Sequence, residues 1–281
     1  MSPAATDTAA WLRGALGPSL DRLGACNATD RVLDPEAVHA ARVATRRLRA
    51  DLKVLRGPLG GNWDGDVRPE LEWIGGLLGA VRDADVLAGA LSGEAAIVPE
   101  ALRAGAARLR RTIGIERDRA QAALLLAVEG ARFAALLDHL QRILADPPAA
   151  SDLDPSIVMK PVWRALKRRV RDLGLEPSDA ALHDVRIATK RARYAAEMFG
   201  SADRADAARF VRRASRLQEA LGRHHDAAVA VVWLLDATSP DPEVALAAGW
   251  LAARFAQARD VQRKAWRTHW QKLSRAEARF W

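Results

Sequence analysis

The chain has 281 residues, enough for one large domain or two small ones with a sizeable core. Its 43 Lys+Arg against 35 Asp+Glu leave a formal charge of +8 and a pI near 10.4, which calls for an anionic partner without naming it. A single cysteine, Cys26, excludes an internal disulfide and a thiolate metal cluster and fits a reducing compartment.

Ala, Leu, Arg and Glu recur at helical spacing and β-branched alternation is scarce, so the expected fold class is all-α, two tandem four-helix bundles. Breakers divide the first half into helices at about 4–25, 35–57, 67–91 and 99–145, the last interrupted around Gly130. Asp34-Pro35-Glu36 supplies the second helix with an N-cap, a proline at the first helical position and an acid in the first turn. Gly57-Pro58 is expected to end it. The stretch from Asp146-Pro147-Pro148 to Pro155 reads as a linker, making 1–148 the first helical half and 149–281 the second. Helices follow at about 156–174, 178–200, 203–237 and 242–275. The N-terminus, with Asp7 and Arg13 in its first turns, has no signal-peptide pattern, and the most apolar stretch, Ala120 to Leu137, is broken by Glu129 and Arg132. A cytoplasmic location is expected.

The second helix carries Val38-His39-Ala40-Ala41-Arg42-Val43-Ala44-Thr45-Arg46-Arg47-Leu48-Arg49, and 144 residues later Leu182-His183-Asp184-Val185-Arg186-Ile187-Ala188-Thr189-Lys190-Arg191-Ala192-Arg193 repeats it, histidine and basic positions in register. The chain reads as a duplication. At about 100° per residue, His39, Arg42, Arg46, Arg49 and Lys53 fall at roughly 0, −60, −20, −80 and −40°, one stripe about 21 Å long. Ala41, Ala44, Leu48, Leu52 and Leu55 lie opposite, as do Val185, Ala188, Ala192, Ala196 and Phe199 in the second copy. Helices built only for solubility alternate charge at i,i+4. Here Arg42 and Arg46, Arg49 and Lys53, and Arg186 and Lys190 are like-charged, at a cost of a few tenths of a kcal/mol per pair. That pattern favours anion binding over a merely solvated face.

Positive charge also gathers around the second copy, with Lys160, Arg164, Lys167, Arg168, Arg169 and Arg171 uninterrupted by an acid, and Arg209, Arg212, Arg213 and Arg216 beyond. A second repeated element follows each stripe. Leu78-Gly79-Ala80-Val81-Arg82-Asp83-Ala84-Asp85-Val86 aligns with Leu221-Gly222-Arg223-His224-His225-Asp226-Ala227-Ala228-Val229. Asp83 and Asp226 are read as acids that orient a stripe residue, with an ordinary inter-helix salt bridge as the plain alternative. Asp85 has no counterpart in the second copy, and His224 and His225 none in the first.

These residues, His-x-x-Arg-x-x-x-(Arg/Lys)-(Arg/Lys)-x-Arg twice, each followed by Leu-Gly-x-x-x-Asp, resemble the CHAD family, the conserved-histidine α-helical domains, from about Thr8 to Phe280-Trp281. The resemblance implies two four-helix bundles whose basic surface binds inorganic polyphosphate, found in prokaryotes alone or attached to a triphosphatase domain, and a binder with no catalytic role. The triphosphatase's Glu-x-Glu-x-Lys strand is not seen, since Glu70 and Glu72 are followed by Ile74 in a helical context. Carried over by position, the polyphosphate-binding residues are His39, Arg42, Arg46, Arg49 and His183, Arg186, Lys190, Arg193. Arg47, Arg191, Lys53, Lys160, Arg164, Lys167, Arg213 and Arg216 complete the set. Lys53 is where the copies part, its counterpart being Glu197. Polyphosphate granules and polyphosphate-metabolising enzymes are the further partners this reading allows.

A row of arginines suits a linear polyanion because each neutralised phosphate releases counterions and guanidinium groups grip oxygens two at a time. Metal binding is weakly supported. His39 and His183 have no ligand at i+3 or i+4, and the adjacent His224 and His225 point about 100° apart. Glu36 and Asp179 read as first-turn acids. No cofactor and no Ser/His/Asp, Cys/His or paired-carboxylate arrangement is visible, so no enzymatic role is expected. A nucleic-acid binder needs stacking groups among its cations. The nine tryptophans (Trp11, Trp63, Trp73, Trp163, Trp233, Trp250, Trp266, Trp270, Trp281) read as packing, and Tyr194, about 20° from His183, is the one aromatic on a stripe. A histidine phosphotransfer protein is the other alternative, though it would need one accessible histidine and no arginine stripes.

Overall fold

A computed structural model describes residues 8–27, 34–59, 65–146, 154–199, 205–237, 240–275 and 281. Trp63, Phe280, the Pro147-Pro148 stretch and everything before Thr8 lie outside them. Among the described residues the chain is all helix, with no strand. In chain order the α-helices are α1 (Thr8–Gly24), α2 (Pro35–Leu59), α3 (Val67–Glu94), α4 (Arg103–Val128), α5 (Ala131–Ala145), α6 (Pro155–Arg171), α7 (Asp179–Phe199), α8 (Ala205–Asp236) and α9 (Pro242–Ser274). Short 3-10 turns occupy Ala25–Asn27 and Glu100–Leu102.

Three helices start on the same device, an aspartate before a proline. The Asp34 carboxylate accepts from Glu36 N at 3.0 Å, Asp154 from Ser156 N at 2.8 Å, and Asp241 from Glu243 N at 3.0 Å. Proline at the first helical position has no N–H to satisfy, so the aspartate serves the next free donor. Gly130 breaks the α4–α5 run as expected, in an extended conformation (φ −80°, ψ 152°) and with a bend of 60°. Two ends differ from expectation. α2 continues through Gly57 and Pro58 to Leu59, because a proline in the last turn forfeits one hydrogen bond but need not end the helix at once. α6 stops at Arg171, three residues early, where Leu173 N turns tightly back onto Val170 O at 3.3 Å ahead of Gly174. No single helix among the described residues is long and apolar enough to cross a membrane.

The chain divides into two compact units, Met1–Asp85 with Glu116–Val158, and Val86–Ile115 with Met159–Trp281. These are not the sequential halves 1–148 and 149–281. The second unit claims the segment from the end of α3 to the middle of α4 because that segment packs on α9. Arg254 Nε donates to Glu94 at 2.6 Å, Arg108 pairs with Asp241, and Gly105 lies so close to the Glu243 carbonyl that a Cβ would overlap it.

In the first unit, α1 packs on α2 and α5. The core face of α2 is the one its periodicity marks, with Ala41, Ala44, Leu48, Leu52 and Leu55 at most 1% exposed. In the second unit, α8 packs on α9 and α7, and α7 buries Val185, Ala188, Ala192 and Ala196 in the matching way. Thr45 and Thr189, equivalent positions in the two copies, are both fully buried. Each turns its hydroxyl to the carbonyl four residues back, Ala41 and Val185 respectively, at 2.8 Å, which satisfies a polar group inside the core.

Candidate anion-binding site

Since α2 turns its apolar face inward, its basic stripe lies along the other side, where α3 supplies the neighbours. Arg42 Nη2 donates to Asp83 Oδ1 at 2.9 Å and Arg49 Nη2 to Glu72 Oε1 at 2.8 Å. Both acids are exposed, at 64% and 72% of their side chains, so each pair fixes a guanidinium without burying its charge. Arg46, between them, has its Nε buried with no hydrogen-bond partner, and so has Nδ1 of His39. Burial and the charges of Arg82, Arg46 and Arg42 push the His39 imidazole below its ordinary value, Glu36 opposing. Lys53 is exposed. Arg47 is turned elsewhere, its Nε 3.5 Å from the carboxylate of Asp51, which is 1% exposed.

The Leu-Gly-x-x-x-Asp element now has a physical reading. Leu78 and Leu221 are core residues. Gly79 lies where the Arg42 guanidinium crosses α3, so close that a Cβ would overlap Nη1. Four residues on, Asp83 receives the same guanidinium. Gly75, one turn earlier, lies 3.2 Å from Thr45 Cγ2 as measured from the Cβ it lacks. Glycine lets the helices approach and the arginine pass. In the second copy the Cβ absent from Gly222 would stand 4.0 Å from Arg186 Nε, a looser version of the same crossing, and Asp226 is exposed at the corresponding place.

The second stripe keeps the plan and changes the partners. Arg193 donates from Nε to Gln218 at 3.0 Å and from Nη1 to Glu197 at 2.6 Å, so the acid that replaces Lys53 neutralises the end of this stripe. Lys190 is 7% exposed where its counterpart Arg46 is only half-buried. Arg191, the counterpart of Arg47, is likewise half-buried. Tyr194 is no stripe aromatic after all. It is 4% exposed, with the Arg193 guanidinium 4.6 Å over its ring, because a helix face about 20° from His183 is already turning into the α7–α8 contact.

His225 was missed from the sequence. Its Nδ1 lies 3.2 Å from Nδ1 of His183, with ring centroids 4.4 Å apart. Two histidines of different helices thus meet although no two share a helix face. The available signal was the repeat alignment, which sets His225 opposite Arg82, the residue that faces His39. Burial, then Arg186, His183, Lys190 and His224, push His225 down to about 4. Burial, Arg186 and Lys190 lower His183 as well. Both shifts favour the neutral rings, between which one nitrogen donates and the other accepts.

His224 and Asp179 serve a different purpose. His224 is 2% exposed with Nε2 3.2 Å from Asp179 Oδ1. Asp179 also receives Arg263 at 2.5 Å and Arg259 at 3.3 Å. Read from sequence as a mere first-turn acid, it ties the start of α7 to α8 and α9. Asp85, likewise without a repeat counterpart, pairs with Arg117 at 2.5 Å.

Two of the remaining cations line a separate groove. Arg164 and Lys167 line a groove with Arg168, Val170, Arg171 and Trp270, and no residue of α7 lines it. Lys160, exposed, lies one turn before Arg164 on α6. Arg216 faces His269 on α9, whose imidazole is lowered by burial and by Lys272, Arg223 and Arg216. Arg213 has a buried Nη1 without a partner. Among the described residues no group of three or more His, Cys, Asp or Glu can hold a metal ion.

Two uncharacterised proteins of Mycobacterium tuberculosis, from strains CDC 1551 / Oshkosh and ATCC 25618 / H37Rv, are each 30% identical to the chain over 207 residues, 69% of this chain and 39% of theirs. The chain therefore spans about two fifths of the length of these relatives. Among solved structures it resembles PptA from Streptomyces chartreusis (TM-score 0.74, 26% identity, covering 91% of this chain and 99% of that one). It also shares the fold of the CHAD domain from the plant Ricinus communis (TM-score 0.75, 24% identity, 94% and 91%). The CHAD-domain family model matches residues 14–235, and with the histidine stripe and Leu-Gly-Asp element both present in duplicate, the chain belongs to the CHAD-domain family.

Proposed function

We propose that this protein binds inorganic polyphosphate along its two His/Arg/Lys stripes and performs no chemistry on it. The observation that carries the reading is a pair of buried stripe nitrogens that no protein group meets. His39 Nδ1 and Arg46 Nε are buried without partners, flanked by Arg42 and Arg49, which Asp83 and Glu72 hold in fixed directions. Native proteins seldom leave buried donors unsatisfied unless a water or a ligand completes them. A chain of phosphates offers acceptors at regular intervals and charge to match.

The alternatives lose ground on the same geometry. A nucleic-acid binder using the stripes would need a stacking aromatic there, and Tyr194 is in the core. A phosphotransfer domain needs one accessible imidazole with room for a partner, whereas His39 and His183 are both half-buried and stand beside arginines. The setting of such a binder is the cytoplasm, on polyphosphate granules or beside the enzymes that make or degrade the polymer. The test is calorimetric titration with long-chain polyphosphate and with tripolyphosphate across a range of salt. Long chains are expected to bind far more tightly, with log affinity falling linearly in log salt. Equal affinities per mole, or a flat salt response, would refute the multivalent stripe.

A further inference from the structure

The basic groove of the second unit has a chemistry that the stripes lack. Arg164, Lys167, Arg168 and Arg171 line a space of about 660 Å³ together with Val170 and Trp270, within the usual size of small-molecule sites. All four cations are exposed, and no acid lines the groove. Arg171 is 3.1 Å from the exposed Asp172. Trp270 is half-buried and stacks on Trp163, centroids 5.6 Å apart and planes 30° from parallel. Trp163 is itself 4% exposed and wedged edge-on against Phe210 and Trp281. The indole that borders the cations is thus backed by a rigid aromatic cluster.

The ordinary explanation of cations near a helix C-terminus is the helix dipole. That effect is confined to the last turn, so it accounts for Arg168 and Arg171 and leaves Arg164 and Lys167 without a reason. These four also stand at i,i+3 and i,i+4 from one another, a spacing at which like charges cost helix stability. A lining of four cations and no acid is complementary to a multiply charged anion. An indole is wasted on a purely inorganic one, because phosphate has no flat or apolar surface to lay against it.

We propose that this groove is a binding site for a nucleoside di- or triphosphate, its phosphates held by Arg164, Lys167, Arg168 and Arg171 and its base stacked on Trp270. The site is independent of the stripes, since none of their residues lines it. It gives a polymer-binding protein a separate place to sense the small phosphate carriers of the cell.

Binding of ATP and of inorganic tripolyphosphate is compared by calorimetry at one fixed salt concentration, for the wild type and four variants. The wild type is expected to bind ATP about 5- to 150-fold more tightly than tripolyphosphate, the range found for base–aromatic stacking. Trp270→Leu should bring ATP down to the tripolyphosphate level while leaving tripolyphosphate within twofold, and Trp270→Phe should retain most of the preference. Exposed Arg164→Glu with Lys167→Glu should abolish the ATP preference without lowering the melting temperature, which keeps the test open if the tryptophan variants fold poorly. Arg142→Ala, at an exposed cation on α5 outside both the groove and the stripes, should leave the ATP preference unchanged. Equal affinity of the wild type for ATP and tripolyphosphate overturns the proposal, and so does a full ATP preference in the charge-reversed double variant. A ten-nucleotide single-stranded RNA that displaces ATP at a hundredth of the ATP concentration also overturns it, assigning the groove to nucleic acid.

Discussion

Replacing Arg46 with methionine should stabilise the free protein and weaken its hold on polyphosphate at the same time. Arg46 carries a buried Nε without a partner, and an unsatisfied buried polar group costs about 1–3 kcal/mol. Methionine keeps an unbranched stem of similar reach and a good helix propensity. It also removes the like-charge contact with Arg42 one turn away, worth a few tenths of a kcal/mol. The free protein should gain about 1–2 kcal/mol, raising Tm by about 2–8 °C for a domain of this size. With one fewer phosphate neutralised, the slope of log affinity against log salt should flatten by about 0.7, and affinity at 0.1 M salt should fall about fivefold. Melting without ligand and calorimetry at several salt concentrations measure the two effects separately. A lower Tm with an unchanged salt slope would refute the reasoning, because it would make Arg46 a structural residue.

Gly79→Ala should lower polyphosphate affinity with little loss of stability, since the new Cβ displaces only the flexible end of Arg42 and alanine favours the helix by about 1 kcal/mol. Gly105→Ala should instead destabilise by about 1–3 kcal/mol or more, because its Cβ meets the rigid Glu243 backbone; thermal melts that rank the two variants the other way would contradict the packing. The His225 imidazole is near 4 in the fold against about 6.5 in the unfolded chain, so the unfolded state holds more protons between those values. Stability is therefore complete above pH 6.5 and declines as pH falls from about 6.5 to about 4, and His225→Gln should flatten that decline in denaturant titrations. A phosphate chain beside His183 and His225 should raise both imidazoles, which start below the ordinary value near 6.5, so binding takes up protons and affinity rises as pH falls below about 6.5 toward 4. Calorimetry in buffers of different ionisation enthalpy reads this directly, and an absence of proton uptake would remove the histidines from the site.

The helices and their inward faces were legible because both depend on short-range periodicity. The apolar stripe of α2 and its copy on α7 are buried as the spacing requires, and the Asp-Pro start of α2 announces a cap that the structure contains. The repeated element also pointed to an acid, Asp83 or Asp226, beside each stripe. What each of them does depends on which helix lies across from it, and helix–helix register is not written in local periodicity. So only the tertiary structure shows the Arg42 guanidinium passing Gly79 to reach Asp83, His225 meeting His183, and Asp179 gathering His224, Arg259 and Arg263. It also moves the boundary between units into the interiors of α3 and α4, because the contacts of Glu94, Gly105 and Arg108 with α9 are more than 130 residues distant along the chain. Trp270 looked like one more packing residue for the same reason. Its position against the α6 cations is set by how α9 lies on α6, a contact between segments about 100 residues apart in sequence, and no pattern within either helix records it.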